Sequence, residues 1–305
     1  MSASIDSESR TMAEPGSNFT LRSMTEADLP ACHRLSLQYK WPHRLDDWRF
    51  LLRLGQGIVV ENRQPGKAPA IVATVVHTRY GEHHTAVGML IVHPTLQRFG
   101  LGTRLMQQVA QTLGQRHQFV SATAAGQRLY EKMGFRVVDQ LHQFQGSDLQ
   151  PVLVPLPPGE RVRPLGKSDA ARIPLLDAQA TGMDRSNVLA ALLEQCEGVA
   201  LDHEGDMLGF ALIRRFGHGR VIGPVVAPDA QRAKALIAHW INTYSDSFVR
   251  IDVFESSGLV PWLGEVGLTR ADSVTRMIRG GAEGDTGVAE GDGMQLFSII
   301  NQALG

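Results

Sequence analysis

Val92-His-Pro-Thr-Leu-Gln97-Arg98-Phe99-Gly100-Leu101-Gly102-Thr103 follows a run rich in Val, Ile and Leu and precedes apolar positions Leu101, Leu105, Val109 and Leu113, spaced four apart. That pattern predicts a strand, a glycine-containing turn and an amphipathic helix with one buried face. The first N–H groups of a helix lack intrahelical acceptors and carry partial positive charge, so such a turn is suited to an anion such as a diphosphate. Glycine at 100 and 102 lets phosphate oxygens approach the backbone, and Arg98 can add a charge-assisted contact. Two nucleotide-binding patterns fail on spacing. A Walker loop needs Lys and Ser or Thr after its second glycine, and a dinucleotide fingerprint needs a third glycine where Leu105 stands.

Outward from this stretch, the first half predicts a strand at 19–24, a helix from about 25 to 39, a helix at 45–54, and strands at 58–61, 70–78 and 85–92. After the helix at 100–113 come a strand at 119–123, a helix at 124–133 and a strand at 135–144. Residues 151–158 are proline-rich and close the unit. The order then restarts. Arg161-Val-Arg-Pro-Leu-Gly-Lys-Ser-Asp follows Thr20-Leu-Arg-Ser-Met-Thr-Glu-Ala-Asp, with Arg163 on Arg22 and Asp169 on Asp28. Val226, Pro228, Gln231 and Arg232 fall on Val92, Pro94, Gln97 and Arg98, and Glu265-Val-Gly-Leu on Lys132-Met-Gly-Phe. Three landmarks in one order at near-constant spacing indicate duplication of one fold.

With 305 residues the chain has room for two domains of ordinary size, divided here as 19–157 and 160–305 after an 18-residue lead-in expected to be disordered. Acids and bases nearly balance at 31 and 30, which removes the electrostatic footprint of a nucleic-acid or anionic-membrane binder. Cys32 and Cys196 are too few and too far apart for a disulfide framework or thiolate metal site, and a reducing cytoplasm without a bound metal is expected. Residues 280–293, rich in Gly, Glu and Asp, predict a mobile loop before a last strand near 296–300.

Gln97-x-x-Gly100-x-Gly102, after Val92-x-Pro94, resembles the coenzyme motif of the GCN5-related N-acetyltransferases. The run from Ala122 through Tyr130 to Gly134-Phe135 is similar to that family's second signature, and the tandem arrangement resembles a bacterial subgroup with a degenerate second half. The resemblance implies an α/β (α+β) architecture of two tandem folds, each a mixed, splayed, mostly antiparallel sheet flanked by helices. It implies acetyl-CoA as co-substrate, with the backbone of Ile91 and Val92 on the pantetheine arm and Gln97, Arg98, Phe99, Gly100, Leu101, Gly102 and Thr103 around the diphosphate. Tyr130 takes the place beside the thioester sulfur, where a hydroxyl can assist the leaving thiol. The implied reaction is acetyl transfer to the primary amine of a small polar acceptor. A coenzyme-sensing module without turnover, or a protein or peptide acetyltransferase, is the alternative.

Many members carry a glutamate before the motif, whereas Ala86-Val-Gly-Met-Leu-Ile-Val has no carboxylate. The base is unassigned, with Glu82, His83 and His84 as upstream candidates acting through water. Trp41 and Asp47, between the first two predicted helices, are candidates for the acceptor wall. Gly182-Met-Asp184-Arg185 matches a Gly-x-Asp-Arg run of the subgroup, so Asp184 and Arg185 are candidates for holding the acceptor, Arg185 through a carboxylate. In the second half Lys234, Leu236 and Leu263 stand where Gly100, Gly102 and Tyr130 stand in the first, so no productive coenzyme site is expected there.

Overall fold

A computed structural model describes residues 12–13, 18–281 and 293–305. By backbone contacts the chain forms two compact units: residues up to 78 with 89–114, and residues 79–88 with 115–305. Of the lead-in, Met12 and Ala13 (β1) pair with Leu21 and Thr20, and the rest apart from residue 18 lies outside the described residues. The expected mobile loop likewise falls mostly outside them, between 282 and 292.

In the first unit, β2 (Phe19–Ser23), β3 (Gln56–Asn62) and β4 (Ala70–Tyr80) pair antiparallel in sequence order. Two helices, α1 (Leu29–Gln38) and α2 (Leu45–Leu54), connect β2 to β3. Thr25 and Asp28 start the helical segment through a capping box, and Pro at the start of α1 needs no N–H there. β5 (His84–Val92), of which residues 89–92 belong to this unit and 84–88 to the second, leads into α3 (Leu101–Leu113), whose Leu101, Leu105, Val109 and Leu113 are all buried as their spacing predicts. Each such side chain contributes roughly 1.5–3 kcal/mol.

The second unit contains β6 (His117–Ala122), α4 (Ala124–Lys132) and β7 (Arg136–Gly146). The second repeat follows: β8 (Glu160–Pro164), α5 (Ile173–Thr181), α6 (Ser186–Leu193), β9 (Glu197–His203), β10 (Asp206–Phe216), β11 (Gly219–Ala227), α7 (Ala230–Thr243), β12 (Val249–Phe254), α8 (Val260–Glu265), β13 (Thr269–Arg279) and β14 (Gln295–Ser298). Duplication is visible in an ion pair made twice. Arg22 forks onto Asp28 at 2.7 Å and Arg163 onto Asp169 at 2.6 and 3.0 Å, and each aspartate accepts a main-chain N–H three residues before it. Arg163's hydrogen bond holds the Asp169 carboxyl below the usual carboxylate range.

The first three residues of β5 run parallel to β6, His84↔His117 to Ala86↔Phe119, and there the pairing ends although β6 continues to Ala122. This is the splay the resemblance implied. β6 takes its other neighbour from the second repeat. β13 inserts between β6 and β7, and β7 in turn pairs with β12, so the repeats exchange strands and form the order β6-β13-β7-β12-β14-β11-β10-β9-β8. The exchange buries Leu141 against Phe254, Val274 and Ile299.

Candidate functional site

Between β5 and α3 the chain turns sharply twice. After a short helical turn at Pro94–Leu96 and an extended Gln97, Arg98 has φ +71° and Gly100, the N-cap of α3, φ +75°. A left-handed conformation at Gly100 is cheap for glycine alone, and a Cβ there would meet nothing within 4 Å. Backbone conformation, not crowding, therefore selects this glycine. Left-handed residues interleaved with others turn successive N–H groups toward one side, the geometry of an anion-binding concavity. No side chain caps α3, and none of the main-chain N–H groups of residues 98–103 has an acceptor among the described residues. The mouth is solvent-exposed at Gln97, Arg98, Phe99, Gly100 and Thr103, with Phe99 63% exposed, while Leu101 is buried as an anchor and Gly102 is half-buried.

Tyr39 ties this mouth to the end of β5. Its hydroxyl donates to the Val92 carbonyl at 2.5 Å and accepts from the Gln97 side chain at 2.8 Å. The Val92 oxygen thus accepts one hydrogen bond, and the Ile91 side chain is buried. Three residues before Val92, Met89 adopts φ +52°, a conformation rare for a side-chain-bearing residue, and the Thr74 hydroxyl donates to its carbonyl at 2.7 Å. Such outliers persist where surrounding structure enforces them and concentrate at functional sites. Neither Tyr39's bridge nor the Met89 kink was evident from sequence. Tyr39→Phe removes one donor and one acceptor, each worth about 0.5–1.5 kcal/mol. A three- to tenfold weaker coenzyme affinity with little change in turnover is the expected outcome in steady-state kinetics.

In the other unit, Tyr130 on α4 is 6% exposed and packs edge-on against Phe135 at 5.4 Å between ring centroids. Burial pushes its hydroxyl pKa well up, so it stays protonated at neutral pH, and it makes no hydrogen bond among the described residues.

Several candidates have other work. Glu82 and His83 occupy the turn that begins β5, and His84 its first residue, whereas Val92 ends it. His84 lies edge-on to His117 at 5.0 Å, and the His83 carbonyl accepts the His117 N–H. Asp47 works within its own helix start. It is 4% exposed and accepts the Arg44 N–H at 2.8 Å and the Arg44 guanidinium at 3.1 and 3.0 Å, capping α2. Trp41 is half-buried beside Tyr39 and His43. Asp184 accepts the Ser186 N–H and hydroxyl, capping α6, and these bonds hold its carboxyl low. Arg185 is 2% exposed rather than presented at the surface. It forks onto Asp177 at 2.8 and 2.5 Å and donates to the Gly305 main-chain oxygen at 2.7 Å.

The equivalent helix mouth of the second repeat is closed. α7 starts at Ala230, five residues earlier in the repeat than α3, and its N-cap Asp229 accepts the Arg232 N–H at 2.9 Å. Arg232 also pairs with Asp229 and with Glu160. Lys234 lies within the helix near the Trp262 ring, and Leu236 and Leu263 are fully buried in the core. In the register above Asp229 falls on Thr95, and residues 232–237, which fall on 98–103, lie inside α7 rather than at a bare helix start.

Among the described residues no group of three His, Cys, Asp or Glu is arranged to hold a metal, and no helix is long and apolar enough to cross a membrane. Both repeats match family models described as an acetyltransferase (GNAT) domain, over residues 69–154 and 173–287. An uncharacterized N-acetyltransferase of Bacillus subtilis (strain 168), YitH, is 28% identical over 225 residues, covering 72% of this chain and 77% of that protein. A crystal structure from Pyrococcus horikoshii superposes with TM-score 0.75 at 17% identity, covering 96% of this chain and 98% of the other. A tandem GNAT protein from the clavulanic acid biosynthesis pathway gives TM-score 0.61 at 14% identity, over 87% and 100%. With the bare helix mouth at Gly100 in the first repeat and the same element order in the second, the chain belongs to the GCN5-related N-acetyltransferase superfamily, as an acyltransferase-family protein of two GNAT domains in tandem.

Proposed function

We propose that the chain transfers an acetyl group from acetyl-CoA to the primary amine of a small polar acceptor, using the first repeat alone for the coenzyme. The observation that carries this reading is the uncapped mouth of α3, where six successive residues, 98–103, leave their N–H groups without acceptors. Partial positive charge there, with the Arg98 guanidinium, is matched to a diphosphate. In the second repeat the corresponding residues 232–237 lie inside α7, and its N-cap Asp229 puts negative charge at the helix start, which opposes a diphosphate. Acetyl-CoA supplies an activated acyl group.

Transfer forms an N–C bond and breaks the C–S bond, and the departing sulfur gains a proton while the amine loses one. Tyr130 serves as the donor to sulfur in this reading, since burial keeps its hydroxyl protonated well beyond neutral pH. With no carboxylate in β5, the amine reacts as the small neutral fraction it brings from solution. The expected pH profile follows from that. The logarithm of kcat/KM rises with unit slope from pH 6 to 9, because a lysine-like amine has a pKa of about 10.4, and Tyr130 adds no falling limb in that range. Tyr130→Phe is expected to lower kcat about tenfold, at the low end for losing an acid because a thiol is already a good leaving group, with coenzyme affinity unchanged.

The test is release of free thiol from acetyl-CoA with a panel of small primary amines. Amine-dependent release that scales with Tyr130 supports transfer. Tight coenzyme binding without release from any amine favours the sensing module that the missing carboxylate would allow, and acetylated peptides by mass spectrometry would favour a macromolecular acceptor.

A further inference from the structure

β13 carries an arginine into the interior of the second unit. Arg276 is 8% exposed, and its guanidinium lies 4.0 Å from the centroid of the Phe119 ring. Buried guanidinium groups ordinarily have carboxylate partners, because charge in a low-dielectric interior is costly unless paired. Arg185 has Asp177 and Arg250 has Asp252. Arg276 has neither an ion pair nor a hydrogen bond among the described residues. Its cross-strand neighbour is Asp139, but that carboxylate accepts the Ser256 hydroxyl and the Gln140 N–H instead. Burial pulls the Arg276 pKa down to about 9, and the group is still charged at neutral pH.

The guanidinium faces a cavity of about 230 Å³ that lies wholly within this unit. Met183, Phe254 and Leu296 give it apolar walls, Asp139 and the Gly305 backbone line it as well, and Arg185, already neutralised by Asp177, stands beside Arg276. At roughly 30 Å³ per water in the liquid, the space takes about seven or eight non-hydrogen atoms. We propose that this cavity binds a small carboxylic acid, with the carboxylate on Arg276 and its hydrocarbon part against Met183, Phe254 and Leu296. The fork of a guanidinium matches the two oxygens of a carboxylate, which would complete the pairing that every comparable buried arginine named above already has. The inference stands whether or not the chain transfers acetyl groups, because it uses no residue of the α3 mouth and not Tyr130.

The experiment measures binding of three acids (propionate, glycine, succinate) and of their amides (propionamide, glycinamide, succinamide) to the full chain by saturation-transfer NMR titration. The acids are expected to bind at least tenfold more tightly than the amides. In Arg276→Met the preference falls to within twofold while the melting temperature holds or rises, since an unpaired buried charge has been removed. Arg276→Lys retains part of the preference, because the charge remains without the fork. Binding of acids and amides with equal affinity, absence of binding by all three acids, or a preference that survives in Arg276→Met would each overturn the proposal.

Discussion

A chain ending at residue 157 is expected not to fold, although it contains the whole first repeat and the whole α3 mouth. β6 would lose the five residue pairs it makes with β13, and β7 would lose nine with β13 and six with β12. Val274, Met277 and Ile278, all buried on β13, would go too. At roughly 1.5–3 kcal/mol each, those three side chains alone approach the 5–15 kcal/mol total stability typical of a folded domain. One edge of β6 and both edges of β7 would be left bare as templates for aggregation. Circular dichroism and size-exclusion chromatography of the truncated chain check this, with aggregation and no cooperative melting expected. Co-expression with residues 158–305 as a separate chain is expected to restore a soluble complex. A truncated chain that melts cooperatively by itself would mean the exchanged strands are dispensable.

The second large effect belongs to Gly102→Glu. The residue sits in the first turn of α3, where an added carboxylate interacts favourably with the helix dipole and leaves stability unchanged or raised by a few tenths of a kcal/mol. For a diphosphate the same charge is repulsive, as is that of Asp229 at the start of α7. Coenzyme affinity is expected to fall about a hundredfold or more, corresponding to about 2.7 kcal/mol, with the melting temperature held. Gly100→Ala differs in kind. Its Cβ meets open space, so the cost is a left-handed conformation worth roughly 1–2 kcal/mol, and both stability and affinity decline. Calorimetry beside thermal melts separates the two behaviours.

Local pattern made much of this legible. Leu101, Leu105, Val109 and Leu113 announced α3, Gly100 marked the turn before it, and Arg163 and Asp169 were matched to Arg22 and Asp28 before their ion pairs were visible. Features that depend on distant chain were not. Nothing in residues 269–279 says that they pair with residues 118–122, about 150 positions earlier, because strand periodicity specifies a face and not a partner. Arg276 reads locally as an ordinary charged strand residue; only the insertion of β13 buries it. Asp47 and Asp184 were candidates for acceptor contacts and proved to be helix caps. An acid three residues into a helix is a capping signal, and that simpler meaning was available at Asp47 from the spacing alone.

Isothermal titration of the full chain with coenzyme A, set against pantetheine, which lacks the nucleotide and its diphosphate, bears most directly on the role of the α3 mouth. One molecule of coenzyme per chain is expected, bound at least a hundredfold more tightly than pantetheine, with that advantage gone in Gly102→Glu. Equal affinities for the two ligands, or a second coenzyme site of similar strength, would contradict it.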